Sequence, residues 1–178
     1  MADITLQDKV FEPYISKDAI LERTLALCKT LKEDYHNKKP LFIVVLNGAF
    51  VFAADLLKNC KFELEICFVK VTSYEGTEST GKIKQIIGLD QDITNRHIII
   101  IEDIIDTGHT IEKLVADFQL KNPASIKIAS LLLKPGAYKK NIPIDYVAIE
   151  IENKFVVGYG LDYNQIGRNI NGIYILKT

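Results

Sequence analysis

The segment IIIIEDIIDTGHT, Ile98 to Thr110, is the most informative stretch of this chain. An apolar run leads into two adjacent carboxylates, Glu102 and Asp103. Two isoleucines and a third carboxylate, Asp106, follow, and then Thr107-Gly108-His109-Thr110 at the entry to a helix. The second half suits an anion. Gly108 lets the backbone come close to a ligand. The N–H groups of the turn and of the helix start converge with the positive end of the helix dipole. Thr107 and Thr110 add hydroxyl donors, and together these groups form a cup for one phosphate. The chain shows neither GxxxxGK[ST] nor GxGxxG here, so the turn is neither a Walker A loop nor a dinucleotide fingerprint. The first half pulls the other way, because three negative charges beside such a cup repel its ligand. Those carboxylates make sense if they hold the hydroxyls of a sugar, face a bound cation or move a proton. The structural alternative is that Asp106 merely caps a turn and that Glu102 and Asp103 face water.

The elements that position these residues read as alternating strands and helices. Ser16 is the expected N-cap of a first helix, with Ile20, Leu21, Leu25, Cys28 and Leu31 at helical spacing. Leu41 to Leu46, LFIVVL, fits a strand buried on both faces. Ala49 to Lys58 reads as a helix, Phe62 to Tyr74 as a strand, and Lys82 to Leu89 as a strand pairing back on it. The polar segment EGTESTG, Glu75 to Gly81, has nothing to bury and is expected to be mobile. Ile98 to Ile101 is a second central strand, and Ile111 to Leu120 an amphipathic helix. Further strands are expected at Ile126 to Leu133, Tyr146 to Ile151 and Ile173 to Leu176, with Gly158 to Asn171 irregular. This alternation predicts an α/β fold with a mostly parallel sheet, whose ligands sit beyond the carboxyl ends of the strands.

Composition bounds the function. The chain has 178 residues, 48% hydrophobic, which predicts one domain with a real core and excludes disorder. With 22 Lys and Arg against 23 Asp and Glu the net charge is −1, so no nucleic-acid partner is expected. Cys28, Cys60 and Cys67 form no CxxC pair and His36, His97 and His109 no ligand cluster, which predicts thiols in a reducing compartment. The N-terminus shows no basic start followed by an apolar run. The most apolar stretch, Leu41 to Leu57, carries Asn47, Gly48 and Asp55 and is marginal against the ~20 residues of a membrane span. A cytoplasmic location without a membrane partner is expected.

Two acidic residues after an apolar strand, two apolar residues and then Asp-Thr-Gly-x-Thr resemble the phosphoribosyl pyrophosphate (PRPP) signature of the type I phosphoribosyltransferases. The Ile104-Ile105 pair is similar to the purine salvage branch, the hypoxanthine-guanine enzymes. LNGAFVFAADLL (Leu46 to Leu57) resembles the family's pyrophosphate loop and following helix, and SYEGTESTGKIK (Ser73 to Lys84) its catalytic loop. LLLKP (Leu131 to Pro135) and KFVVGYGLDYNQIGR (Lys154 to Arg168) resemble its base-binding segments. The matches run in the family's order from about residue 41 to 168.

The resemblance implies a type I fold with a core over about 38–157 and a small hood from about 1–37 and 158–178. It implies Mg²⁺-dependent transfer of ribose 5-phosphate from PRPP to hypoxanthine or guanine, giving IMP or GMP and pyrophosphate. Asp106 is then the general acid/base at N7 of the purine. Glu102 and Asp103 hold the ribose hydroxyls and the Mg²⁺ shell, and Asp106 to Thr110 hold the phosphate. Asn47, Gly48, Ser73, Tyr74 and Arg168 take pyrophosphate. Lys134 selects the base through O6, Phe155 stacks on it, the Val156 backbone reads its N1 edge, and Asp162 lies near the second Mg²⁺ and the 2-position. From the residues alone, Lys134 reads sooner as an exposed loop lysine, and Phe155 and Val156 as core. A homodimer or homotetramer is implied.

The sequence departs from the family in places. Asn47 stands where a basic residue is common, which leaves pyrophosphate binding to that side chain open and to the backbone amides expected. His109 replaces a frequent lysine or asparagine. The short Pro135-Gly136-Ala137-Tyr138 linker resembles the compact bacterial-type enzymes. The alternatives are a regulatory protein that keeps the PRPP site, a transferase for xanthine or a pyrimidine, and a generic α/β nucleotide binder.

Overall fold

The structure is a computed structural model that describes residues 1–73 and 83–177. A six-stranded sheet is built from β3 (Leu41–Leu46), β4 (Glu65–Ser73), β5 (Ile83–Ile87), β6 (His97–Ile105), β7 (Ser125–Leu133) and β8 (Tyr146–Glu150). The order is β5-β4-β3-β6-β7-β8. Five strands are parallel, and only β5 runs antiparallel, against β4. The all-apolar runs of β3 and β6 lie at the centre because both of their faces are covered. Phe42, Val44, Ile99 and Ile101 pack beneath α1 (Lys17–Tyr35) and α2 (Phe50–Asn59). Leu41, Ile43, Val45, Ile98 and Ile100 pack beneath α3 (His109–Gln119) through its Ile111, Leu114 and Phe118.

Ser16 caps α1, its hydroxyl accepting the Ala19 N–H at 3.2 Å. The buried stripe of that helix is Ile20, Thr24, Leu27, Cys28, Leu31 and Tyr35, while Leu21 and Leu25 face outward. The expected stripe included Leu21 and Leu25. The face that fits the sheet is centred one step away, and there a threonine is buried by bonding the Ile20 carbonyl at 2.8 Å.

The remaining strands form a second, antiparallel sheet in the order β1-β2-β10-β9. These are β1 (Ile4–Leu6), β2 (Lys9–Ile15), β9 (Val156–Val157) and β10 (Ile173–Leu176). Phe11, Val157 and Tyr174 are its core. Both ends of the chain contribute to it, whereas α1 belongs to the main core. Among the described residues no helix is long and apolar enough to cross a membrane.

Candidate active site

Strand β6 runs on through Glu102 and Asp103 to Ile105, past the expected end at Ile101, so both carboxylates are part of the sheet. Asp106 is the first residue beyond it, and α3 starts three residues later. The first bond at the α3 end joins the Glu112 N–H to the Gly108 carbonyl at 2.9 Å. The amides from Gly108 to Ile111 therefore point out of the helix without intrahelical partners. They border a cavity of about 110 Å³ lined by Glu102 and by every residue from Ile104 to Ile111. Gly108 has φ +84°, and a Cβ there would lie 2.4 Å from a Tyr138 ring carbon. Its glycine thus answers to the turn and to Tyr138 as well as to any ligand. His109 is exposed, its Nδ1 3.9 Å from the Glu112 carboxylate.

Strand register explains the second feature. β6 and β7 pair in parallel with Ile105 opposite Leu133, so the next residues, Asp106 and Lys134, emerge side by side. The Lys134 N–H donates to the Ile105 carbonyl at 2.9 Å, and its Nζ donates to Asp106 Oδ2 at 2.7 Å. Lys134 is only 7% exposed. Lysine is seldom so buried unless it is paired, and this disposes of the loop-lysine alternative. The turn-cap alternative for Asp106 fares no better, since no side chain caps α3 and the Asp106 carboxylate is bound to Lys134. A cationic donor next to an anionic acceptor matches a ligand edge that carries a carbonyl beside a ring N–H.

On the other side of β6 lies the turn after β3. A Cβ on Gly48 would sit 1.5 Å from Asp103 Oδ2, so only glycine lets the two approach. Gly48→Ala is expected to lower stability by about 1–3 kcal/mol, the usual range for overpacking, in a urea titration. An unchanged midpoint would show that the turn yields. The Leu46–Asn47 peptide beside it is cis. Glu102 is 8% exposed, and its Oε2 is buried without a hydrogen-bond partner. Burial, with the neighbouring Asp103, pushes the Glu102 carboxyl well above the usual carboxylate range. Burial also raises Asp103, against the pull of its bonds to Glu102 and to the Ile104 N–H and of the Arg168 charge. An orphaned carboxylate oxygen beside a second carboxylate fits Mg²⁺, which is usually bound by one or two carboxylates together with waters and substrate oxygens. Among the described residues no three His, Cys, Asp or Glu side chains gather as a complete cage.

Asp162, expected near a second Mg²⁺, is engaged within the protein. One of its oxygens holds Arg168 Nη2 at 2.6 Å and the other accepts the Gln165 N–H at 2.7 Å. It anchors an arginine and a turn. Arg168 also donates from Nη1 to the Gly160 carbonyl at 2.7 Å. Tyr74, the side chain of Ser73 and the loop expected over Glu75 to Gly81 lie outside the described residues.

Phe155 is 46% exposed, an open ring at the start of β9, whereas Val156 is buried. The core alternative therefore holds for Val156 and fails for Phe155. The Phe155 ring leans on Phe11, centroids 6.2 Å apart, and meets Tyr163 edge-on at 6.0 Å. Lys9 Nζ lies 4.8 Å from the Tyr163 centroid and 5.9 Å from that of Phe155. Gly160 and Tyr163 lie within the Lys154 to Arg168 segment expected at the base, whereas nothing in the sequence points to Lys9 and Phe11. The signal of these two is tertiary, because β2 reaches Phe155 only through β10.

The cup, the Asp106–Lys134 pair and the Gly48 turn all lie just past the carboxyl ends of β6, β7 and β3, where parallel sheets bind ligands. This defines an α/β fold whose candidate site gathers at the strand ends. Residues 16–164 match the family described as the phosphoribosyl transferase domain. The chain is 38% identical over 178 residues to the hypoxanthine-guanine-xanthine phosphoribosyltransferase of Tritrichomonas foetus, covering 99% of this chain and 97% of that one. It is 40% identical over 173 residues to the hypoxanthine-guanine phosphoribosyltransferase of Streptococcus pneumoniae, covering 97% and 96%. The crystal structure of a hypoxanthine-guanine phosphoribosyltransferase from Bacillus anthracis superposes with a TM-score of 0.88 at 35% identity, covering 93% of this chain and 98% of that one. The chain belongs to the phosphoribosyltransferase family.

Proposed function

We propose that this enzyme transfers ribose 5-phosphate from PRPP to the 6-oxopurines hypoxanthine and guanine, releasing pyrophosphate and forming IMP or GMP in purine salvage. The observation that carries the reading is the 2.7 Å pair of Lys134 and Asp106. On a 6-oxopurine, O6 and N7 are neighbouring atoms. The lysine donates to O6, and the carboxylate accepts the N7 proton, which makes the attacking ring nitrogen more nucleophilic. Adenine presents an amino group at the lysine, donor against donor. The open Phe155 ring stacks on the base and the Val156 backbone reads its N1 edge, while Asp162, paired with Arg168 in the free protein, lies near the 2-position and a second Mg²⁺.

The amides and hydroxyls from Thr107 to Thr110 hold the 5-phosphate. Glu102 and Asp103 hold the ribose hydroxyls, and their negative charge favours the oxocarbenium-like ribose formed as pyrophosphate departs. The Gly48 amide, Asn47 and Arg168 receive the pyrophosphate, and Ser73 and Tyr74 begin the loop that closes over the reaction. Mg²⁺, held by Glu102, Asp103 and substrate oxygens, supplies positive charge against the charge developing on pyrophosphate.

We further propose a cytoplasmic homodimer or homotetramer. Ile66 and Phe68, two apart on β4, are exposed together with Ile87 of β5 and Phe50 at the start of α2. A second copy covering this face is expected in light scattering.

The test is a spectrophotometric assay with PRPP, MgCl₂ and, in turn, hypoxanthine, guanine, xanthine and adenine. Nucleotide is expected from the first two, and none from any base would overturn the proposal. Lys134→Gln replaces the ammonium by a neutral amide that can donate or accept. It is expected to narrow the preference for hypoxanthine over adenine roughly ten- to a hundredfold, the difference a charge-assisted hydrogen bond makes. An unchanged preference would remove Lys134 from base selection.

A further inference from the structure

We infer that the hydrogen bond between the Tyr159 hydroxyl and the Asp55 carboxylate positions the pyrophosphate end of the site, by holding the loop that carries Arg168 against the Gly48 turn. The inference rests on the reading above, in which Gly48 and Arg168 receive pyrophosphate. Neither Tyr159 nor Asp55 touches substrate in that reading, so both are positioning residues.

The backbone gives the first argument. Gly158, Tyr159 and Gly160 follow one another with φ +95°, +50° and +100°. Glycine enters this region freely, but a bulky aromatic residue there is unfavourable and needs compensating contacts. Tyr159 has them. It is buried, its N–H donates to the Ile170 carbonyl at 2.8 Å, and its hydroxyl reaches Asp55. Burial and the Asp55 charge raise the hydroxyl far above its ordinary value, so it remains a donor at any working pH. Between two glycines, Tyr159 is the one side chain by which this turn is gripped.

The second argument is what lies at each end of the grip. Asp55 sits on α2, the helix that begins two residues after Gly48, and α2 is locked into the main core by Phe52, Ala53 and Leu56. At the other end, Gly160 presses on the Gly48 turn so closely that a Cβ would lie 2.1 Å from the Gly48 carbonyl oxygen. The same Gly160 is bound twice to Arg168. Its N–H donates to the Arg168 carbonyl at 2.9 Å, and its carbonyl accepts from the guanidinium at 2.7 Å. The path from Asp55 to the arginine therefore runs through the Tyr159 hydrogen bond, two residues of backbone and the bonds between Gly160 and Arg168. Slack in that bond frees Gly160, and with it the guanidinium and the amide edge of Gly48. The base end, at Phe155 and Lys134, is attached elsewhere, so its affinity does not depend on the bond.

Tyr159→Phe keeps the ring and removes only the donor. Calorimetric titrations in MgCl₂ with PRPP and with inorganic pyrophosphate, together with steady-state KM values, separate the possibilities. Both Kd values are expected to rise roughly ten- to a hundredfold, the effect of losing one hydrogen bond to a charged group. The KM for hypoxanthine stays within about twofold. Asp55→Ala should show the same loss, Asp55→Asn, which keeps an acceptor oxygen, should restore most of the affinity, and the Tyr159→Phe, Asp55→Ala double variant should be no worse than either single change. Unchanged pyrophosphate affinity overturns the inference. So does an equal loss for pyrophosphate and hypoxanthine, the mark of general loosening, and so do additive single effects. A wild-type enzyme that binds neither PRPP nor pyrophosphate sinks the site reading itself. Should Tyr159→Phe fail to fold, the two Asp55 variants decide the matter alone.

Discussion

Asp106→Asn is expected to lower kcat by about 10²–10⁴-fold, the usual contribution of a positioned proton acceptor. The Kd for PRPP should change little. The structure makes the separation sharp for two reasons. First, asparagine has nearly the shape of aspartate, and its amide oxygen can still accept from Lys134 Nζ, which now lies 2.7 Å from Asp106 Oδ2. The buried lysine is then not abandoned without a partner, and the larger penalty of an orphaned charge does not confuse the result. Second, the cup proposed for the phosphate consists of the backbone amides from Gly108 to Ile111, whose direction is set by the start of α3 and not by the side chain at position 106. What asparagine lacks is basicity at the atom proposed to take a proton from the purine. Steady-state kinetics with hypoxanthine, paired with a calorimetric titration of PRPP, measure both halves. Turnover within about tenfold of wild type would take the proton-transfer role from Asp106. A parallel collapse of PRPP affinity would instead assign the residue to the cup.

How far this site could be read from the sequence depends on the range of the interactions. The phosphate cup is local, since a strand, a glycine turn and a helix start in continuous sequence suffice to build it, and Ile98 to Thr110 show all three. The strands β3 and β6 were legible because LFIVVL and IIII can only be buried on both sides. Asp106 and Lys134 were legible as separate candidates, but their contact was not. It follows from the register that sets Ile105 against Leu133, and register belongs to the assembled sheet. The burial of Lys134 is a consequence of that register and equally invisible beforehand. β1 and β2 escaped notice altogether. β2 reads KVFEPYI, with a proline in the middle and a single fully buried residue, Phe11. Its partner β10 lies at the far end of the chain. Lys9 and Phe11 reach Phe155 through this pairing, so no local pattern could have placed them there. The same holds for Tyr159 and Asp55, which are 104 residues apart.

Glu102→Gln is expected to make the enzyme more stable and nearly inactive. In the folded protein burial raises the Glu102 carboxyl well above its ordinary value, and Asp103 adds to the effect. In the unfolded chain the group titrates near 4.3 (roughly). Between these two values the folded state holds a proton that the unfolded state has lost. Stability from this group is therefore fully present below the unfolded value and falls as pH rises toward the folded one. Asp103 is displaced in the same direction and steepens the fall. Glutamine is neutral throughout, so the variant should match wild type in acid, below the ordinary carboxylate value, and gain on it progressively as pH rises above that value. Each pH unit by which the solution exceeds the unfolded value, up to the folded one, adds about 1.4 kcal/mol to this difference. For a chain of this length each such unit corresponds to a Tm increase of about 3–6 °C. MgCl₂ should raise the wild-type Tm most where the carboxylate is charged, and should do so far less in the variant, because a cation binds the ionised form. Scanning fluorimetry across this pH range, with and without MgCl₂, reads all of these effects. A variant less stable than wild type at high pH, or one with an undiminished Mg²⁺ response, would mean that Glu102 is a structural residue. The expected pattern has one physical origin. An oxygen left without a hydrogen bond in the interior disfavours the ionised carboxylate, and a cation bound beside it would offset that cost.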